Sequence, residues 1–200
     1  LERGPAYGMT FETESPSEEN WPTFRHDPSR TGTTTMSVAP SVAITWKTQL
    51  KGDLTPPVVS HGKLFVAKPD AHTLYALDTE SGAILWYFTA DGRIDSPPTI
   101  KDGMVLFGSK DGYVYCLRAS DGELVWRFLA APVDRRVAYF DQIESAWPVH
   151  GSVLVDHGTV YFTAGRSTYL DGGIRVYGLD PTSGAIRYRS VLKGPNPFME

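Results

Sequence analysis

Side chains able to do acid–base, nucleophilic or ligand chemistry are sparse in this 200-residue sequence and match no catalytic spacing. Cys116 is the one cysteine, so neither an intrachain disulfide nor a cysteine-based zinc site can form. The five histidines (His26, His61, His72, His150 and His157) share no metal-ligand spacing. Glycines stand singly, with no phosphate loop opening a helix, and Asp102-Gly103 or Asp111-Gly112 lack the further oxygens of a calcium loop. Two groups keep a chemical reading. Arg93, Asp95 and His150 form the first. Asp95 and His150 could make a general-base pair or supply metal ligands, with Arg93 orienting them. No nucleophile or third ligand accompanies them, so the plainer reading is a solvated channel rim. The second group is carried by two insertions, residues 132–148 and 165–173: Asp134, Arg135, Arg136, Asp141, Gln142, Glu144, Trp147, Arg166, Tyr169 and Asp171. Paired arginines suit a polar or anionic ligand, and Tyr, Trp and Arg suit a partner protein. A loop satisfied by its own salt bridges, or packed on an absent domain, is the alternative.

The elements that position these groups follow from an internal repeat. Trp46, Trp86 and Trp126 are spaced by 40 residues. Gly62, Gly103 and Gly158 correspond, as do Gly82, Gly122 and Gly184, and Tyr188 takes the tryptophan's place in the last copy. The copies cover residues 53–90, 92–131 and 148–192. Each parses into four short β-branched and aromatic runs separated by Asp-Gly or Ser-Gly turns. Four antiparallel strands recurring every 40 residues or so predict an all-β fold, a β-propeller of four-stranded blades. Each indole should pack between one blade and the next. About three and a half blades are present, and a propeller of seven or eight would need more chain. The sequence therefore reads as a fragment of a longer protein, or as a partial propeller closed by self-association. Links between blades and links from second to third strands emerge at one end of such sheets, so both insertions should crowd one face. Leu54, Asp95 and His150 fall at equivalent places before the innermost strands, near the mouth of the central channel.

Ala76-Leu77-Asp78-Thr79-Glu80-Ser81-Gly82-Ala83-Ile84-Leu85-Trp86 closely resembles the A-x-D-x-x-T-G-x-x-x-W repeat of quinoprotein alcohol dehydrogenase-like propellers. Leu117–Trp126 resembles it more loosely, with Arg118 at the Asp position, and Gly178–Tyr188 keeps Asp180, Ser183 and Gly184. The entry Trp21-Pro22-Thr23-Phe24-Arg25-His26-Asp27 also looks like the lead-in of such proteins. The resemblance covers residues 21–192 and concerns architecture. Similar propellers include quinone-dependent dehydrogenases, an outer-membrane β-barrel assembly lipoprotein and other bacterial envelope proteins. The dehydrogenase branch implies pyrroloquinoline quinone (PQQ) stacked on a tryptophan, a calcium ion held by acidic and amide groups, and a catalytic Asp. None of these carries over residue by residue, so no cofactor, metal or catalytic residue is expected in this segment. PQQ and Ca²⁺ belong only to the alternative reading, a fragment of a quinoprotein alcohol or sugar dehydrogenase.

Composition agrees with a folded body: 41% hydrophobic and 21% charged residues. The net charge of −4 resides in residues 1–20, where five glutamates face Arg3 alone. The remainder is neutral, which gives no electrostatic footprint for nucleic acid. No apolar run approaches the ~20 residues of a membrane span. Residues 1–20 read as a flexible acidic linker, 21–45 as a lead-in, 46–194 as the partial propeller and 195–200 as a tail. The expected function is a non-catalytic binding or scaffold module of a bacterial envelope protein. By resemblance it is periplasmic, and a protein partner or small polar ligand sits on the insertion face. A sensory propeller fused to a signalling domain is a third possibility.

Overall fold

A computed structural model describes residues 1–11, 17, 19–140 and 142–195. Its strands are β1 (Glu2–Arg3), β2 (Val58–Ser60), β3 (Lys63–Lys68), β4 (Thr73–Asp78), β5 (Ile84–Thr89), β6 (Thr99–Lys101), β7 (Met104–Gly108), β8 (Tyr113–Arg118) and β9 (Leu124–Leu129). They continue with β10 (Arg136–Tyr139), β11 (Gln142–Ser145), β12 (Leu154–Asp156), β13 (Thr159–Ala164), β14 (Ile174–Leu179) and β15 (Ile186–Leu192). One 3-10 turn, Pro69–Ala71, joins β3 to β4. The strands β2–β5, β6–β9 and β12–β15 form three antiparallel up-and-down sheets, one for each copy of the repeat. These are three consecutive propeller blades. A register shift recurs at one place in each, after Ala76, Cys116 and Gly178, so the blades share backbone detail as well as pattern.

The turn before the last strand shows why the repeat motif takes its form. Asp78 Oδ1 accepts from the Ser81 backbone N–H at 2.8 Å, and Asp180 Oδ1 accepts from that of Ser183 at 2.8 Å. In the second blade Arg118 replaces the Asp and reaches forward to Asp121 at 2.9 Å and 2.6 Å. The glycine that follows has positive φ in every copy: 70° at Gly82, 76° at Gly122 and 66° at Gly184. A Cβ would also overlap the preceding copy's indole at Gly82 (Trp46) and Gly122 (Trp86), and at Gly184 it would overlap Leu1 and press on Trp126. Each indole N–H donates to a backbone carbonyl of the same turn: Trp46 to Thr79 at 2.8 Å, Trp86 to Ala119 at 3.2 Å, Trp126 to Pro181 at 2.9 Å. The tryptophan thus pins one blade to the next by burial and by one directed bond. The segment around Trp46 delivers its ring in this way without forming a strand.

Two cores fill the spaces between blades. One joins Phe65, Leu74 and Trp86 to Val105, Phe107 and Tyr115; the other joins Leu106, Cys116 and Trp126 to Val153, Val160 and Phe162. Successive residues of β7 serve opposite cores, so all of Met104–Gly108 is buried. The lead-in attaches along the first strands. Trp21 bridges Val59, Ile100 N–H donates to Pro22 O at 2.7 Å, and Thr23 and Thr99 share a 2.8 Å hydroxyl bond.

Residues 1–11 depart from the flexible linker expected at residues 1–20. Strand β1 pairs antiparallel with β9 and makes the second blade five-stranded. Gly4 lies flush on Leu124, Ala6 is fully buried, and Glu2 accepts from Arg127 Nε at 2.7 Å. Backbone pairing, close packing and an ion pair together outweigh the entropy of ordering this segment.

Candidate functional site

The link from β9 to β12 is where the repeat is interrupted. It leaves the second blade at Ala130, folds into the hairpin β10–β11 and returns through Trp147 to the third blade. Trp147 is the buried anchor, its indole N–H donating to Asp171 O at 2.9 Å. Arg135 lies over the Trp147 ring at 4.9 Å and forms an ion pair with Asp171. The two insertions therefore meet through direct contacts. Arg136 pairs with its neighbour Asp134 at 2.9 Å, and Gln142 sits opposite Tyr139 in the hairpin. Asp141 lies outside the described residues. Tyr169 is partly exposed at the rim, its backbone N–H donating to Ser167 Oγ at 3.2 Å.

Glu144 ties this insertion to the rest of the face. Only 2% of its side chain is exposed, and its two oxygens meet Lys110 Nζ at 2.9 Å and Arg166 Nη2 at 2.6 Å. Arg166 also donates to Ser145 O at 3.1 Å and covers the Tyr139 ring at 4.3 Å. Lys110 continues to Asp95 Oδ2 at 3.0 Å; Asp95 Oδ1 accepts from Arg93 Nε at 2.9 Å, and Arg93 pairs with Asp70. Asp70, Arg93, Asp95, Lys110, Glu144 and Arg166 form one alternating chain of charges across three blades. It joins the channel-rim group to the insertion group.

Burial disfavours the charged form of Glu144, but hydrogen bonds from Arg166 and Lys110 outweigh it and hold the carboxyl below its usual range. The same balance lowers Asp95 through Arg93 and Lys110. For Lys110, bonds to Glu144 and Asp95 overcome burial and raise the ammonium. His150 keeps a solvent-exposed edge, yet surrounding protein and the cations Lys110 and Arg166 hold its imidazole below the ordinary value. A direct Asp95–His150 pair, one reading of the sequence, does not form, because both Asp95 oxygens are taken by Arg93 and Lys110.

Sequence reasoning missed Lys110, Asp70 and Tyr139. Lys110 sits in a Lys-Asp-Gly turn that reads as a hairpin connection, and nothing local marks it as the bridge between two carboxylates. Above the paired base, the hairpin exposes large apolar side chains: Phe140 is 83% exposed and Ile143 69%, with Tyr139 and the preceding Val133 also exposed.

A family model described as outer membrane protein assembly factor BamB matches residues 27–196. The chain belongs to the BamB family. Among curated BamB proteins, that of Yersinia pestis is 26% identical over 162 residues, 78% of this chain and 38% of its own length. That of Burkholderia pseudomallei (strain K96243) is 33% identical over 95 residues, 46% of this chain and 25% of its own. The chain thus spans between a quarter and two fifths of these BamB relatives. Among solved structures, quinohemoprotein alcohol dehydrogenase from Comamonas testosteroni superposes with a TM-score of 0.68 at 20% identity, covering 86% of this chain and 27% of its own. BamB from Moraxella catarrhalis superposes with 0.52 at 22% identity, covering 70% and 40%. At such identities the dehydrogenase likeness is one of fold. The indoles of Trp46, Trp86, Trp126 and Trp147 are committed to packing and to carbonyl bonds. No three acidic, His or Cys side chains among the described residues converge on one point.

Proposed function

We propose that this chain is a non-catalytic scaffold module of the bacterial cell envelope, in the periplasm, that holds a protein partner on the face built by residues 132–148 and 165–173. The observation that carries the reading is the contrast within that face. Its base is closed by ion pairs, so its arginines are already satisfied, while the β10–β11 tip presents Phe140 and Ile143 to solvent. An ion-paired base under exposed Phe140 and Ile143 suits a protein contact better than a small anionic ligand. Membership in the BamB family supports a partner within the outer-membrane assembly machinery. No helix among the described residues is long and apolar enough to cross a membrane.

The test is co-purification of that machinery with the full-length protein from detergent-extracted envelopes. Phe140→Ser with Ile143→Ser should leave circular dichroism and the melting temperature close to wild type, because both side chains are exposed. Recovery of the partner should fall at least fivefold. Recovery equal to wild type with these residues changed would remove the hairpin from the interface.

A further inference from the structure

The second and third blades carry matching strands, and one arginine has opposite fates in them. In the second blade Arg127 stands across from Tyr115 in the β8–β9 register. It is neutralised twice, by Glu2 Oε2 at 2.7 Å and Asp91 Oδ2 at 2.9 Å, and it stacks over Tyr113 at 4.7 Å. Glu2 arrives on β1, the strand added to the outer edge of β9, and its other oxygen accepts from the Tyr113 hydroxyl at 3.0 Å. An acidic strand on a blade edge, with its carboxylate on an arginine, is therefore already present in this molecule.

In the third blade Arg189 stands across from Tyr177 in the same register. The position of Asp91, five residues after the tryptophan, is occupied by Ala131, and the position of Tyr113 by Arg175. Arg175 lies opposite Val191 and shares a sheet face with Tyr177 and Arg189. These residues and Ser190 line a cleft of about 420 Å³. Arg175 Nε is buried with no hydrogen-bond partner among the described residues, and neither arginine has an ion pair there. No described strand pairs with the outer edge of β15. A buried orphan donor beside a second unneutralised arginine calls for an acceptor, and the open strand edge beside them is a template on which a strand can pair.

We propose that the outer edge of β15, with Arg175 and Arg189, docks an extended acidic peptide strand, which adds antiparallel to the third blade as β1 does to the second. Its backbone pairs with β15, and one carboxylate bridges the two guanidinium groups. The first blade makes no such site, since Tyr87 stands at the arginine position across from Tyr75.

The test uses the isotopically labelled full chain and an acetylated, amidated eight-residue peptide, Leu-Glu-Arg-Gly-Pro-Ala-Tyr-Gly, the sequence of residues 1–8. Saturable amide shifts are expected along Ile186–Leu192. Changing the peptide Glu to Gln should weaken binding about tenfold or more, the scale of a hydrogen bond to a charged group. Arg189→Gln and Arg175→Gln should do the same, and Tyr188→Ala, on the opposite face of the strand, should not. If an arginine variant fails to fold, the Gln peptide on the wild-type chain still decides. Shifts confined to β5 or β9, or equal affinity for the Glu and Gln peptides, would overturn the proposal. So would inorganic phosphate perturbing Arg175 and Arg189 while the peptide binds nowhere, which marks an oxoanion site.

Discussion

Trp126 and Tyr188 hold the same place in successive copies of one repeat, and their surroundings could hardly differ more. Trp126 is 0% exposed, pressed between its own sheet and the Gly184 turn of the next blade, whereas Tyr188 is 53% exposed. The strands follow suit: β9 is largely buried and carries β1 on its edge, while β15 is almost wholly exposed. Local sequence specifies the blade, its turns and its bulge equally well in both. What a side chain contributes to stability depends on the neighbour that covers it, as expected for a stack of repeats coupled through their interfaces.

The largest expected effect is therefore at the covered joint. Trp126→Ala removes an indole that fills the space between two blades and strips Pro181 O of its donor. A loss of about 3–5 kcal/mol is expected, read as a shift in the urea midpoint at constant m-value. A loss below about 1 kcal/mol would mean that the third blade is not held to the second through this ring.

Next in size is the charge chain. Glu144→Gln keeps the shape but leaves Lys110 and Arg166 facing an uncharged amide. Breaking a buried pair from one side costs about 3–5 kcal/mol, and because both cations retain some solvent, about 1–3 kcal/mol is expected here. The folded-state pKa of Glu144 is lowered from 4.5, so its ionised form adds stability that is fully present above that value. This stability is lost as pH falls through the lower folded-state value. The gap between wild type and Glu144→Gln should be constant near neutrality and close in acid. A gap that widens in acid would reverse the assigned sign.

Much of this was legible in the sequence, and the illegible part has a common cause. The Trp spacing, the Asp-Gly turns and the positions of Gly82, Gly122 and Gly184 report local geometry, and local geometry repeats. The insertions were visible as breaks in that period. By contrast, Glu2 and Arg127 lie 125 residues apart, so the glutamates of residues 1–20 read as solvating charge, although Glu2 belongs to a strand. The link from Lys110 to both Asp95 and Glu144 depends on three blades being set side by side. Corresponding repeat positions left Asp95 with His150 open to two readings, a reacting pair or the plainer channel rim, and only the neighbouring blades show that Arg93 and Lys110 take the carboxylate.

The smallest expected effect completes the comparison. Tyr188→Ala should change the stability of this chain by no more than about 0.5 kcal/mol, since no blade among the described residues lies against the ring and surface truncations away from special features fall in that range. The measurement pairs with Trp126→Ala under identical urea conditions. In a longer protein carrying a further blade, or in a self-associated form, the phenol ring would meet a turn glycine as Trp126 meets Gly184, and its loss would approach the larger figure. A cost for Tyr188→Ala that rises with protein concentration would identify a second copy as the cover. A large cost independent of concentration would identify further chain. Near-zero cost in every context would show that the third blade ends the stack, and that its phenol ring no longer serves the docking role the repeat gives to tryptophan.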